Sequence, residues 1–310
     1  MASLHYVRLR TRRYNESLFV NGTGVSSQTA FAGISPKEMR RVILKQSKRA
    51  NVGHIGSCLC VVEIIAAIYG HVLKAASPDD ADRDRFVLSK GHAALALYAA
   101  LAARGWISEE EMDGFCGDGS RIAVHPEHTV RGIDFSTGSL GQGICMATGA
   151  ALAARLQHSA RQVYCVISDA ECNEGSVWEA AMFAAHHQLS NLCVVVDWNG
   201  QQALGCTRDV IDVPNLPERW RAFGWNTAEV DGHSIPKLVK ALKDVRGRGP
   251  RVILAHTVFG RGVSYMEQGV PITQKHLPVQ PINWHYLPMS DHEFEQANRE
   301  LDAADEKSVY

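Results

Sequence analysis

The sequence predicts an α/β protein, a doubly wound, mostly parallel sheet with helices on both faces, and three observations predict it. Val163-Tyr164-Cys165-Val166-Ile167 and Leu192-Cys193-Val194-Val195-Val196 are apolar, β-branched runs, as expected of strands covered on both faces. Runs of this kind alternate with segments of helical period, the pattern of a parallel sheet built by crossovers. Acidic and amide residues, Asp169 after the first run and Asp197 and Asn199 after the second, stand where open parallel sheets bind their ligands.

Taken in order, Ser35-Pro36-Lys37-Glu38 combines an N-cap, a proline at N1 and a glutamate at N3, and so opens a helix that continues through Met39, Val42, Ile43, Gln46 and Ser47. Leu59–Leu73 reads as a second helix, stopped by Ala76-Ser77-Pro78-Asp79. Arg85-Phe86-Val87-Leu88-Ser89 is a short strand, Ala93–Ala103 an alanine-rich helix, and Ser108-Glu109-Glu110-Glu111 the cap of another. Leu140–Leu156 is helical, with small residues that allow close packing. The run 163–167, a helix over Val177–His187 and the run 192–196 follow. After a loop come a strand near Thr227–Val230, a helix over Ile235–Leu242 and a strand over Arg251–His256. This organisation makes residues 35–310 one domain behind a flexible arm, residues 1–34.

The chain has 310 residues, and its 32 basic and 33 acidic residues nearly cancel, so no global charge recommends nucleic acid or an anionic membrane. No apolar run approaches the roughly 20 residues that span a bilayer, and the chain reads as cytoplasmic. The eight cysteines are scattered, mostly within apolar runs, and read as buried thiols, not as a disulfide framework. The spacing Cys58-x-Cys60 is not that of a zinc or redox pair. In the arm, Arg8, Arg10, Arg12 and Arg13 precede the first acid, Glu16. With no apolar core this is no secretory signal, and it fits a flexible or partner-binding arm better than a mitochondrial transit peptide.

Ser168-Asp169-Ala170-Glu171-Cys172-Asn173-Glu174-Gly175 and Asp197-Trp198-Asn199-Gly200 carry the chemistry. Two oxygen ligands on neighbouring strand ends suit a hard cation such as Mg²⁺, which keeps few protein ligands and fills its shell with phosphate oxygens and water. A helix opening near Gly175 adds a positive field for an anion. Either segment alone fits equally well a polar turn after a strand.

Together the two segments resemble a thiamine diphosphate motif, and their surroundings resemble the N-terminal subunit of split transketolases. The resemblance spans about residues 35–300. It is carried by Asn51-Val52-Gly53-His54-Ile55-Gly56, Leu88-Ser89-Lys90-Gly91-His92, His125-Pro126-Glu127, Ser136-Thr137-Gly138-Ser139-Leu140-Gly141-Gln142-Gly143, Trp220-Arg221-Ala222-Phe223-Gly224-Trp225 and Asp231-Gly232-His233. It implies a thiamine-diphosphate-binding fold that holds thiamine diphosphate and Mg²⁺. Asp169, the Asn199 side chain and the Gln201 backbone carbonyl would be the metal ligands. His92 and the Ala170 amide would meet the diphosphate. Gly138, Leu140 and Gly141 would line the pyrimidine end, and His54 and His125 would face the thiazolium and the sugar hydroxyls. Glu174 would stand near a subunit boundary.

The family's Trp-His segment aligns with Trp284-His285 better than with the nearby His276, which gives His285 a contact to diphosphate or substrate and implies an inserted loop at about 269–283. Ser168, where the family usually has glycine, would crowd the diphosphate or donate to it. Cys172 and Gln201 replace leucine-like residues, with Gln201 placing an amide near the cofactor. The glutamate that activates the cofactor in this family belongs to a second domain, so the resemblance implies a partner: a C-terminal subunit with pyrimidine-binding and C-terminal domains, in a heterotetramer. The activity implied is transfer of a two-carbon ketol unit from a ketose or ketose phosphate to an aldose. Two alternatives stand beside it, a specialised acyloin or ketol transferase subunit of secondary metabolism and a non-catalytic regulatory subunit.

Overall fold

A computed structural model of the chain describes residues 34–245, 247–267 and 283–304. Of the expected arm (1–34) and loop (about 269–283), residues 1–33 and 269–282 lie outside the described residues, as does His276.

The first helix, α1 (Pro36–Ala50), starts as its cap predicts, with the Ser35 hydroxyl accepting from the Glu38 N–H, and stops at Asn51, which is left-handed. The second differs from expectation. It begins at Ile55 instead of Leu59 and comes as α2 (Ile55–Leu59) and α3 (Val62–Ala67), the latter running into a π-helical turn, Ile68–Val72. Residues 55–69 are buried on every side, so the stretch carries no amphipathic period from which its start could be read. By length and composition, residues 55–72 would suffice to cross a membrane, but 83% of that window is buried inside the protein as core.

Strand β1 (Arg85–Leu88) leads through a 3₁₀ turn into α4 (Ala94–Ala103), followed by α5 (Glu109–Asp113) with its Ser108–Glu111 capping box. Then come α6 (Gly143–Leu156), β2 (Val163–Ser168), α7 (Gly175–His186) and β3 (Leu192–Trp198). The segment read as loop contains a small hairpin, β4 (Gln201–Gln202) and β5 (Gly205–Cys206), and two helices, α8 (Thr207–Ile211) and α9 (Leu216–Ala222). The chain continues through β6 (Asn226–Asp231), α10 (Ile235–Lys243) and β7 (Arg251–His256), and the last described elements are α11 (Asn283–Tyr286) and α12 (Asp291–Ala303).

The main sheet has the order β1-β2-β3-β7-β6, with every neighbouring pair parallel. Its two faces feed separate cores. Tyr164, Val166, Cys193, Val195 and Ile253 pack with α1–α4 and α10, whereas Val163, Cys165, Ile167, Val194 and Leu254 pack with α6, α7 and Trp220 of α9. Alternation of this kind along strands buried on both faces makes the sheet doubly wound, as predicted. All eight cysteines are free thiols; Cys116 is exposed and Cys145 half-buried, against the expectation of burial, while the other six are buried.

Candidate cofactor and active site

The tips of β1, β2 and β3 meet at one end of the sheet. Parallel register sets Ser168 beside Asp197, so Asp169 and Asn199 follow at adjacent strand ends. The Asp169 carboxylate is 5% exposed, and its Oδ2 accepts from the Gly200 N–H at 2.9 Å and the Thr207 hydroxyl at 3.3 Å. Its Oδ1 is buried with no hydrogen-bond partner. Burial, with the nearby Asp197 carboxylate, pushes the pKa of Asp169 up from 3.8 to about 7. A buried, unpartnered carboxylate oxygen is costly, and it has the chemistry of a cation ligand. At the neighbouring strand tip, Asn199 Oδ1 accepts from the Gln201 N–H at 2.8 Å. No group of three or more His, Cys, Asp or Glu among the described residues could hold a metal on its own. A cation here would take other oxygens from a phosphate or water, as Mg²⁺ does. The residues present fit Mg²⁺ and a diphosphate.

Below Asn199 lies an ion pair that sequence reasoning missed. Lys90, 1% exposed, reaches the fully buried Asp197 at 2.6 Å. The same Asp197 oxygen accepts from the Asn199 amide at 2.9 Å and the Cys60 thiol at 3.1 Å, and its other oxygen accepts from the Thr257 hydroxyl. Burial alone would raise the pKa of Asp197, but the Lys90 ammonium prevails and holds it below the usual carboxylate range. The pair fixes Asn199, because its amide nitrogen is drawn to Asp197 and its oxygen is turned the other way. A lysine followed by Gly91 gives no local sign of burial; only the β1–β2–β3 register shows it.

Glu171 is a second missed residue. Fully buried, it accepts from the Ser89 hydroxyl (2.5 Å), the Gly141 N–H (2.9 Å) and the Ser168 N–H (2.8 Å), and so ties the tips of β1 and β2 to the glycine loop. It also holds Ser168, whose hydroxyl accepts from the Glu171 N–H at 3.2 Å and donates to its carboxylate at 3.4 Å. The hydroxyl expected to crowd or contact a diphosphate is thus engaged within its own turn.

The four histidines singled out from sequence converge. The His54 ring lies 5.3 Å from His92, 5.3 Å from His285 and 6.3 Å from His125, and His92 lies 5.3 Å from His285. Backbone contacts place them: the His54 N–H donates to the His285 carbonyl, and the Tyr98 hydroxyl to the His125 carbonyl. Burial, reinforced by neighbouring imidazoles and Lys90, lowers the pKa of His54, takes His92 well below the usual imidazole value and takes His285 to about 4. These three are neutral at pH 7, each able to donate and accept.

His92, His285, Ser168, Ala170 and Leu140 line a cleft of about 270 Å³, with Asn199 on its floor and the exposed Glu174 on its rim. His54 and His125 stand beside it. Gly138 backs onto His125, since a β-carbon there would lie 3.2 Å from the ring. Gly141 has φ +79°, and a β-carbon would come within 2.6 Å of Ser176 Oγ and 2.7 Å of Glu174 Cβ, so only glycine fits. The Gln201 backbone follows Asn199 into β4, and its buried side chain points its amide towards Cys206 at 4.0 Å.

Comparison with known proteins accords with this geometry. A family model described as the transketolase thiamine diphosphate binding domain matches residues 35–278. The chain is 40% identical over 235 residues to the 6-deoxy-6-sulfo-D-fructose transketolase subunit SqwG of Clostridium sp. (strain MSTE9), covering 74% of this chain and 85% of that protein. It is 33% identical over 278 residues to an apulose-4-phosphate transketolase subunit of Phocaeicola vulgatus, covering 88% and 95%. Among solved structures, Campylobacter jejuni transketolase superposes with a TM-score of 0.78 at 26% identity, over 90% of this chain but 43% of that one. Leishmania mexicana transketolase superposes at 0.76 and 27%, over 86% and 41%. The chain therefore spans about two fifths of those transketolases and nearly the full length of the separate subunits. It belongs to the transketolase family and carries that family's thiamine diphosphate-binding domain.

Proposed function

We propose that this chain is the N-terminal subunit of a two-component transketolase, which moves a two-carbon ketol unit from a ketose or ketose phosphate to an aldose acceptor. The reading rests most on one observation: the unpartnered buried oxygen of Asp169 belongs to a residue whose two chain neighbours, Ser168 and Ala170, line a cleft together with Asn199 and the neutral imidazoles of His92 and His285. When bound, thiamine diphosphate supplies the nucleophilic carbon that cleaves and re-forms the bond next to the ketose carbonyl.

The chain's own residues then have separable tasks. Asp169, Asn199 and the Gln201 carbonyl would hold Mg²⁺, and the Ala170 amide and His92 would hold the diphosphate. Gly138, Leu140 and Gly141 accept the ring system at close range. His54, His125 and His285 bind the sugar hydroxyls and carry protons to and from them, a task that suits an imidazole. Glu174, on the rim, meets the neighbouring subunit.

The partner we infer supplies the pyrimidine-binding and C-terminal domains, two such pairs form a heterotetramer, and the assembly is cytoplasmic. Residues 35–310 are read as the cofactor domain, with 1–34 as an arm and about 269–283 as an inserted loop. The full chain is expected to bind thiamine diphosphate only with Mg²⁺ and to turn over ketose only after mixing with the partner half. Ketol transfer by the purified chain alone would overturn the two-component reading, and absence of Mg²⁺-dependent cofactor binding would overturn the site.

A further inference from the structure

The motif Asp231-Gly232-His233 lies outside the cleft, yet its side chains are placed with care. The Asp231 carboxylate accepts from the His233 N–H at 3.0 Å and shapes the turn after β6. Gly232 lets this turn press against the end of β7, because a β-carbon there would lie 2.4 Å from Thr257 Cγ2. His233 is then gripped on both nitrogens: Nε2 accepts from the Val258 N–H at 2.8 Å, and Nδ1 lies 2.9 Å from Glu63 Oε2. A backbone N–H can only donate, so Nε2 is the bare nitrogen and Nδ1 carries the proton given to Glu63.

Glu63 is fully buried on α3 and paired with the fully buried Arg40 of α1, at 2.7 Å and 3.0 Å. Arg40 uses its remaining Nε–H on the Arg261 carbonyl at 2.8 Å, where Gly262 leaves room for it. The turn 257–262 is thus held near both ends, at Val258 by His233 and at Arg261 by Arg40. Between and beside these grips, the Thr257 hydroxyl reaches Asp197, the Gly260 N–H donates to the Gly56 carbonyl of α2, and Phe259 lines the cleft, stacked 6.4 Å from His285.

We propose that Arg40, Glu63 and His233 form a buried clamp that fixes the 257–262 turn, and that through Thr257 and Phe259 this turn sets Asp197, Asn199 and His285 in position for the cofactor. His233 is a positioning residue, working as the neutral Nδ1–H tautomer from outside the cleft. The proposal rests on the cofactor reading above.

Glutamine can present an acceptor where Nε2 stands, whereas asparagine can present only a donor where Nδ1 stands. Titrated with thiamine diphosphate and Mg²⁺, the full chain carrying His233→Gln is expected to stay within about threefold of wild type, and His233→Asn to bind about tenfold more weakly, the cost of one buried backbone hydrogen bond. Thr257→Val, which cuts the turn from Asp197 without touching the clamp, is expected to lose about tenfold as well and decides the matter if His233→Asn fails to fold. Nitrogen-15 spectra of the histidine rings, with His233 assigned by its loss in the variant, are expected to show a protonated Nδ1 and a bare, hydrogen-bonded Nε2. Wild-type binding in the asparagine and valine variants overturns the clamp and leaves the cofactor reading intact. Wild-type chain that binds no cofactor overturns that reading and the clamp with it. A protonated Nε2 overturns the tautomer whatever the affinities.

Discussion

Replacing Asp169 with asparagine is expected to stabilise the cofactor-free chain at high pH while removing its response to Mg²⁺. The wild-type carboxyl titrates at about 7 in the folded chain and near its ordinary 3.8 when unfolded. The folded state therefore binds the extra proton between those values, and stability falls as pH rises through that window. With each tenfold change in proton affinity worth about 1.4 kcal/mol, the ionised carboxylate costs the fold ~4 kcal/mol above pH 7. Asparagine escapes this cost, though an amide facing the unpartnered Oδ1 position forfeits roughly 1–3 kcal/mol for an unmet donor. The firmer quantity is the pH dependence of the difference, in which titrations common to both proteins cancel. Relative to wild type, Asp169→Asn is expected to gain about 2–3 kcal/mol between about pH 5 and pH 8. Urea denaturation at both pH values, in chelator, measures it. Saturating Mg²⁺ with thiamine diphosphate should then raise the midpoint of wild type and leave the variant unmoved. A stability difference that is flat with pH, or an equal response of both proteins to Mg²⁺, would show that Asp169 is neither the strained group nor the cation ligand.

Two further substitutions probe the scaffold. Gly141→Ala forces a side chain into a left-handed backbone position against Ser176 and Glu174, and is expected to cost ~1–3 kcal/mol in thermal denaturation and to weaken cofactor binding. Lys90→Met leaves Asp197 buried without its counter-charge, at an expected cost of ~3–5 kcal/mol; adding Asp197→Asn should recover part of it, and a double-mutant cycle in urea that shows no coupling would refute the pairing.

Much of the fold could be read from local signals because local chemistry decides it. The apolar runs at 163–167 and 192–196 became the central strands, β7 matches Arg251–His256 residue for residue, and Ser35 and Ser108 cap their helices as written. Elements without a local signal were missed. The start of α2 is set by the left-handed His54 and by Phe259 packing on Gly56, contacts made across some 200 residues of sequence. The helix α9 is short, and its Trp220 is buried by a core that exists only after folding. The histidines were legible through resemblance and not through pattern, since spacing alone could not bring His54 and His285 together. The buried roles of Lys90, Glu171 and Glu63, and the pairing of Asp197 with Lys90, escaped notice for a different reason. Charged residues are read as solvated unless a partner is visible, and each of these finds its partner only through sheet register or helix packing.

The wide scatter of the cleft's parts along the chain has a consequence for biosynthesis. Its walls are drawn from Ser57 to His285, and β1 cannot pair with β2 until the 74 residues between them have been made and folded back. Such non-local pairing is slow. A nascent chain on the ribosome therefore presents no recognisable pocket until most of it has emerged, and any small molecule that grips the finished cleft selects the completed fold from its unfinished forms. Scarcity of that molecule would then surface first as lost protein, through proteolysis of chains caught open, before it surfaced as lost catalysis.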